Sequence, residues 1–340
     1  MIRIQNLYYM LSYAFQILRE QGYKQLATEE YENAAELCAA ILIKGVTAQA
    51  KRGLDKAYVS KTESLSSLCG KINIPASVKE QTMLKKMLIC DYDEFSVNIY
   101  MNRIIRTTIE VLTRGEISKD RKKQLRKLLV YFSEVKVLDQ KNINWKLQFN
   151  KNNQTYRMLI SVCYLILKGL LQTTSDGSIK MMSFFDEQRM SRLYEKFILE
   201  YYRKEHPEIK VSSSHIPWNL DDGYSVMLPV MKSDVMLQKE DKILVIDAKY
   251  YSHTTQSYYN KNTIHSDNLY QIYTYVKNLD VEGSGRVAGL LLYAKTDEMI
   301  LPDNDYRMGG NIILIKTLDL DCEFIEIKKQ LDGIVKQWFS

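Results

Sequence analysis

Residues 231–251 read MKSDVMLQKEDKILVIDAKYY. Two runs of strand character, 234–238 and 243–250, are joined by the polar turn Lys239-Glu240-Asp241-Lys242, which predicts a β-hairpin. In the second run Ile243, Leu244, Val245 and Ile246 are continuously apolar, as in a central strand buried on both faces. That run ends in Asp247-Ala248-Lys249. Side chains alternate across a strand, so Asp247 and Lys249 share a face and Ala248 points the other way. Asp234 opens the first strand. Antiparallel pairing lays the start of one strand beside the end of the next, so Asp234 and Asp247 converge. Charges placed there are costly to bury unless they are paired or bind a metal.

Two carboxylates and an ammonium at one point make a hard-cation site with a cationic neighbour. Mg²⁺, or Mn²⁺ in its place, takes a few carboxylate oxygens and keeps waters. Water on such an ion is acidified and can attack phosphorus. Lys249 would orient or deprotonate that water, or neutralise charge developing on the phosphate. The competing reading is a hairpin with a chance Asp–Lys ion pair. An Asp before the hairpin, followed by an apolar strand ending in DxK, favours the catalytic reading.

Outward from the hairpin, residues 185–203 carry a long helical pattern, and 210–216 and 224–231 look like further strands. A helix over 267–278 places Gln271 and Tyr275 at i, i+4 on one face, with Asn268 one turn earlier. Strands at 287–294 and 311–316 and a helix over 324–339 complete a mixed sheet flanked by helices. The N-terminal part is mainly helical, with patterns at 7–18, 31–43, 98–112 and 120–132. Residues 51–79 break that texture with Gly53, Gly70 and Pro75 and predict small strands and loops inserted between helices. The basic run SKDRKKQLRK (118–127) reads as a solvated helix face, with a phosphate-contacting face as the alternative. The polar stretch 139–154 predicts a linker. The expected organisation is therefore α+β, with a helical domain at 1–150 and a mixed-sheet domain at 151–340.

Of 340 residues, 46% are hydrophobic and 26% charged, and 47 basic against 41 acidic side chains leave a net charge of +6. This excludes a disordered chain and a disulfide-stapled miniprotein. The five cysteines are scattered with no CxxC pair, which predicts free thiols in a reduced compartment and excludes a Cys-based zinc site. The apolar stretch 159–171 is interrupted by Lys168 and falls short of the ~20 residues that span a bilayer. No signal-peptide pattern opens the chain, so no membrane and a cytoplasmic location are expected. No GxxxxGK[ST] occurs, so nucleotide hydrolysis is not expected in this chain.

Asp234…Asp247-Ala248-Lys249 resembles the PD-(D/E)xK nuclease motif, with Ser233 where that superfamily usually has proline. The resemblance implies that Asp234, Asp247 and the Ala248 carbonyl bind Mg²⁺ while Lys249 assists hydrolysis. It implies a further acid on the preceding helix, Glu195 or, second, Glu200. Gln271 and Tyr275 resemble a QxxxY element that contacts the acids or DNA, and Asn268 would share its face. Four blocks, IRIQNLYYMLSYAF (2–15), NIYMNRIIRTTIEVL (98–112), VIDAKYY (245–251) and NLYQIYTY (268–275), together resemble the McrC family of McrBC modification-dependent restriction systems. That resemblance covers nearly the whole chain. It implies a Mg²⁺-dependent endonuclease subunit acting on double-stranded DNA marked by methylcytosine, and partnership with a hexameric McrB-type AAA+ GTPase that binds the GTP. It also implies that the chain stimulates the partner's GTP hydrolysis and that residues 51–79 form a finger entering the partner's channel. The alternative is a non-catalytic activator with a vestigial nuclease fold.

Overall fold

The structure, a computed structural model, describes residues 2–19, 21–150, 153–173, 179–181, 186–251, 255–258, 261–295 and 301–340. Lys151 and Asn152 of the expected linker, and Phe185 at the expected helix start, lie outside them. The chain divides into two compact units, Met1–Ala34 with Phe184–Ser340, and Ala35–Ser183. The expected division at 150/151 differs from this at both ends.

Helix α1 (Ile4–Ala14) belongs with the C-terminal unit because its polar groups are answered there. Asn6 Nδ2 donates to the carbonyls of Leu320 and Cys322, each at 2.8 Å. Tyr13 Oη donates to Glu205 at 2.6 Å, and Tyr9 stacks on Phe324 with ring centroids 4.3 Å apart.

The other unit begins with α2 (Ala34–Arg52). Next comes a small antiparallel sheet of β1 (Ala57–Leu65), β2 (Lys71–Ile72) and β3 (Leu88–Ser96), ordered β1-β3-β2, with a short helix α3 (Ile74–Lys79) after β2. The expected insertion is real, but it extends to residue 96 because β1 takes all its partners from β3, from Ala57↔Ser96 to Leu65↔Leu88. Three helices follow: α4 (Tyr100–Arg114), α5 (Lys119–Leu129) and α6 (Gln154–Tyr164). The basic run forms α5, and only Leu125 and Leu128 of that helix are buried. The polar stretch before α6 is no free linker. Asn144 N donates to Tyr100 Oη, which ties it to α4, and Ile143 is buried. Past α6 the apolar stretch continues as a buried π-helical turn, Leu165–Leu170. Among the described residues no helix is long and apolar enough to cross a membrane.

Helix α7 (Glu187–Glu205) opens the second part of the C-terminal unit, its N-terminus capped by Asp186 accepting from Arg189 N. Strands β4 (Lys210–Ser212), β5 (His215–Ile216), β6 (Met231–Lys232), β7 (Val235–Lys239) and β8 (Lys242–Lys249) follow. Then come α8 (Ser266–Leu279), β9 (Val287–Ala294), β10 (Asn304–Met308), β11 (Asn311–Leu318) and α9 (Phe324–Phe339). The main sheet runs β10-β11-β9-β8-β7-β4. β8–β9 and β9–β11 are parallel and the other pairs antiparallel, a mixed sheet as expected. All eight residues of β9 are buried, as its apolar sequence demands. Gly289 lets α8 lie close on that strand. A Cβ there would stand 2.6 Å from Ile272 Cγ1 and 3.0 Å from Val276 Cγ2.

One expected strand shrinks. Of 224–231 only Met231 enters a ladder. Tyr224, Val226, Met227 and Val230 are exposed, Met227 adopts φ 69°, and Pro229 has no N–H to give a ladder. The alternation was chemical, and among the described residues no strand pairs with 224–230.

Candidate active site

The hairpin forms in the expected register. Leu237 faces Leu244, Met236 faces Val245 and Val235 faces Ile246, so Asp234 precedes its strand opposite Asp247. Ala248 N donates to Asp234 Oδ2 at 2.9 Å, closing the ladder with a side chain. Met236 and Val245 pack with Ile272, Tyr275 and Val276 of α8. Asp247 and Lys249 continue the parity of Val245, and Lys249 meets α8 at Gln271.

Ser233 is buried at the position before Asp234. Its N–H donates to Ser214 O at 3.1 Å, a bond proline could not make. Ser213 Oγ donates to Ser233 O at 2.9 Å. Serine therefore fixes the approach to Asp234 with hydrogen bonds where a proline would fix it by its ring.

Asp247 is only 2% exposed. Lys249 Nζ stands 2.9 Å from its Oδ2. At that distance the Lys249 ammonium compensates the buried carboxylate. Burial alone would lower the Lys249 pKa. The Asp247 carboxylate outweighs it, and the net pKa is raised. Asp234 is pushed up to about 8, first by burial and then by repulsion from Asp247 and Glu195. Glu195 is raised too, mainly by burial, with Asp247 adding to it and Ser191, Lys249 and Arg192 opposing.

Of the two helix acids, Glu195 is therefore the one in electrostatic reach of Asp234 and Asp247. Ser191 Oγ donates to it at 3.0 Å. Glu200 pairs with Arg203 at 2.8 Å, five residues further round the helix. Glu195 and Asp234 line a cleft of about 370 Å³ together with Arg192, Lys196 and Leu199 of α7 and Ser213, Lys232 and Ser233. The sequence reading passed over these cations. Arg192 and Leu199 stand at i−3 and i+4 from Glu195, a spacing that puts them on its face.

The amide of Gln271 is a relay. Lys249 Nζ donates to its Oε1 at 3.1 Å, its Nε2 donates to Tyr275 Oη at 2.9 Å, and Tyr275 Oη donates to Lys232 O at 3.2 Å. Tyr275 and Asn268 were expected on a DNA-facing surface, but they are 6% and 5% exposed. Asn268 Nδ2 donates to Tyr293 Oη at 3.0 Å and its Oδ1 accepts from Tyr251 Oη at 3.3 Å. Their polar atoms are used inside the protein, because the helix face bearing them is the one laid on the sheet. Gln271 alone of the three is partly open to solvent.

Among the described residues no group of three or more His, Cys, Asp or Glu side chains is arranged to hold a metal ion. Mg²⁺ needs only one or two carboxylates beside its waters. Asp234 and Asp247 offer carboxylate oxygens at this point, the donor type that a hard divalent cation takes.

Residues 3–294 match the family model described as McrBC 5-methylcytosine restriction system component, and the chain belongs to that family. It is 28% identical over 347 residues to the type IV methyl-directed restriction enzyme EcoKMcrBC of Escherichia coli strain K12, over 100% of this chain and 99% of that protein. Its fold is similar to a chain in the refined half-complex from the tetradecameric assembly of Thermococcus gammatolerans McrB AAA+ hexamers with bound McrC. That match has a TM-score of 0.50 and 16% identity, over 96% of this chain and 76% of that one.

Proposed function

We propose that this member of the McrBC family is the DNA endonuclease subunit of its restriction system, dependent on Mg²⁺ and active in the cytoplasm with an McrB-type AAA+ GTPase hexamer. The convergence of Asp234 and Asp247 beside Lys249 carries the reading. Asp234, Asp247 and the Ala248 carbonyl would hold the ion. When bound there, it supplies Lewis-acid polarisation of a phosphoryl oxygen and acidifies a water.

The chain's own residues do the rest. Lys249, held between Asp247 and Gln271, presents a fixed ammonium where charge builds on the phosphate. Tyr275 orients the Gln271 amide so that its oxygen, not its nitrogen, faces Lys249. GTP belongs to the partner, since no phosphate-binding loop occurs in this sequence. The β1–β3 sheet is the segment we assign to that partner, and the C-terminal unit is the nuclease.

The test is cleavage of methylated plasmid with the partner, GTP and Mg²⁺. Asp247→Ala should lower the rate by about 10³-fold, the scale of several kcal/mol of lost transition-state stabilisation. Equal cleavage by the parent and the variant overturns the reading and leaves a non-catalytic activator.

A further inference from the structure

The cleft beside Asp234 carries more positive charge than the catalytic set uses. Arg192 and Lys232 reach it from α7 and β6, and both residues are exposed. Among the described residues neither side chain has an ion-pair partner. Lys196, also in the lining, lies over the Phe15 ring with Nζ 4.2 Å from the centroid, so its charge is held at the wall. Three cations thus line a space of about 370 Å³ together with Glu195 and Asp234. A solvated helix face would spread such charges over its exposed surface. Here they come from two separate elements and close on one concavity.

We propose that this cleft is a subsite for a DNA backbone phosphate next to the one that is cut. It deepens the nuclease reading and rests on it. The Arg192 guanidinium has the fork geometry that grips two non-bridging phosphate oxygens, and the Lys232 ammonium adds a point charge from β6. Lys232 also ties the subsite to the catalytic set, because its carbonyl accepts from Tyr275, which orients Gln271. A strand gripped here is therefore registered against Lys249. Phosphate contacts of this kind set position and carry no base preference.

The test measures binding of a short fluorescent DNA duplex to the full chain carrying Asp247→Asn, with Mg²⁺ present, across a salt series. Adding Arg192→Ala and Lys232→Ala should weaken binding about tenfold on every duplex sequence and reduce the slope of log K against log salt by about one, as for the loss of one neutralised phosphate. Arg192→Lys with Lys232→Arg should retain the slope. Unchanged affinity and slope in the double alanine variant, or no measurable binding before it is made, overturns the subsite. Plasmid cleavage by Asp247→Asn against the parent decides the nuclease reading separately. If both cut equally that reading fails, whatever the duplex titration shows.

Discussion

The ladders β7–β8 and β1–β3 are both antiparallel, yet opposite forces hold them. In β8 the residues Leu244 to Ala248 are all buried, and one carboxylate among them, Asp247, is compensated by Lys249. The β1–β3 ladder is longer, and apart from Ile89 and Cys90 its residues are exposed or half-buried. It is laced by side chains across the strands. Ser60 donates to Asp93 and Thr62 to Asp91, each at 2.6 Å, Lys61 pairs with Glu94 at 2.6 Å, and Tyr58 lies against Phe95 with centroids 5.2 Å apart. Cross-strand pairs of this kind contribute tenths of a kcal/mol each. A ladder held that way tolerates substitution and offers its side chains outward. A buried ladder fixes two carboxylates against each other in a geometry that water cannot relax.

The contrast is most exposed to failure at Leu244, fully buried between Leu237 and Ala288. Leu244→Ala should cost about 3 kcal/mol in urea unfolding. A loss below about 1 kcal/mol would mean that the buried ladder is no more demanding than the exposed one.

Next in size is Asn102, the buried residue at the root of the exposed sheet. Its Nδ2 donates to Asp55 O and Val97 O, on either side of β1 and β3, and its Oδ1 accepts from Tyr156 Oη at 2.6 Å. Asn102→Ala strands these partners and should cost about 2 kcal/mol. If the sheet is the partner-binding element, GTPase stimulation should fall while the free active-site geometry is untouched. Loss of neither stability nor stimulation would show that the sheet needs no anchored root.

A smaller effect depends on pH. Asp280 lies before β9 and is 4% exposed. Burial would raise its pKa, but hydrogen bonds from Ser284, Asn311 and the Gly285 N–H prevail and hold it at about 2. The folded pKa lies below the unfolded value near 3.9. Its contribution is therefore complete above about pH 4 and lost as pH falls towards 2. Asp280→Asn should unfold more easily than the parent at neutral pH, by about 1–2 kcal/mol, with the gap closing in acid. A pH-independent gap would assign the effect to packing.

The smallest change is expected on the exposed ladder, where Thr62→Ala should move stability by less than about 0.5 kcal/mol. A larger loss would place Thr62 in a buried environment and erase the contrast between the ladders.

The hairpin of Asp234 and Asp247 was legible because its cues are local: a period of two, a four-residue polar turn and charged residues ending an apolar run. Its strand limits differ from the expected ones by a residue. The insertion was legible as a break in helical texture, but its far strand, Leu88–Ser96, was not, since the pairing that defines it spans up to 39 residues. Strand β10 was also missed. Its residues are mostly exposed, so no apolar alternation marked it. Tyr224 to Val230 failed in the other direction, with alternation in the sequence and no pairing strand among the described residues.

By itself, the sequence determined that Asp234, Asp247 and Lys249 gather at the end of one hairpin, and that no phosphate-binding loop accompanies them. The register of a short reversal leaves a two-residue period no other way to bury its apolar face. Tertiary structure alone decided that Glu195 rather than Glu200 turns towards them and that Asn268 and Tyr275 face inward. It also decided that α1 packs with residues more than 300 positions away. Each of these depends on which helix face meets which distant surface. A helical period leaves that choice open until the sheet is in place to receive the helix.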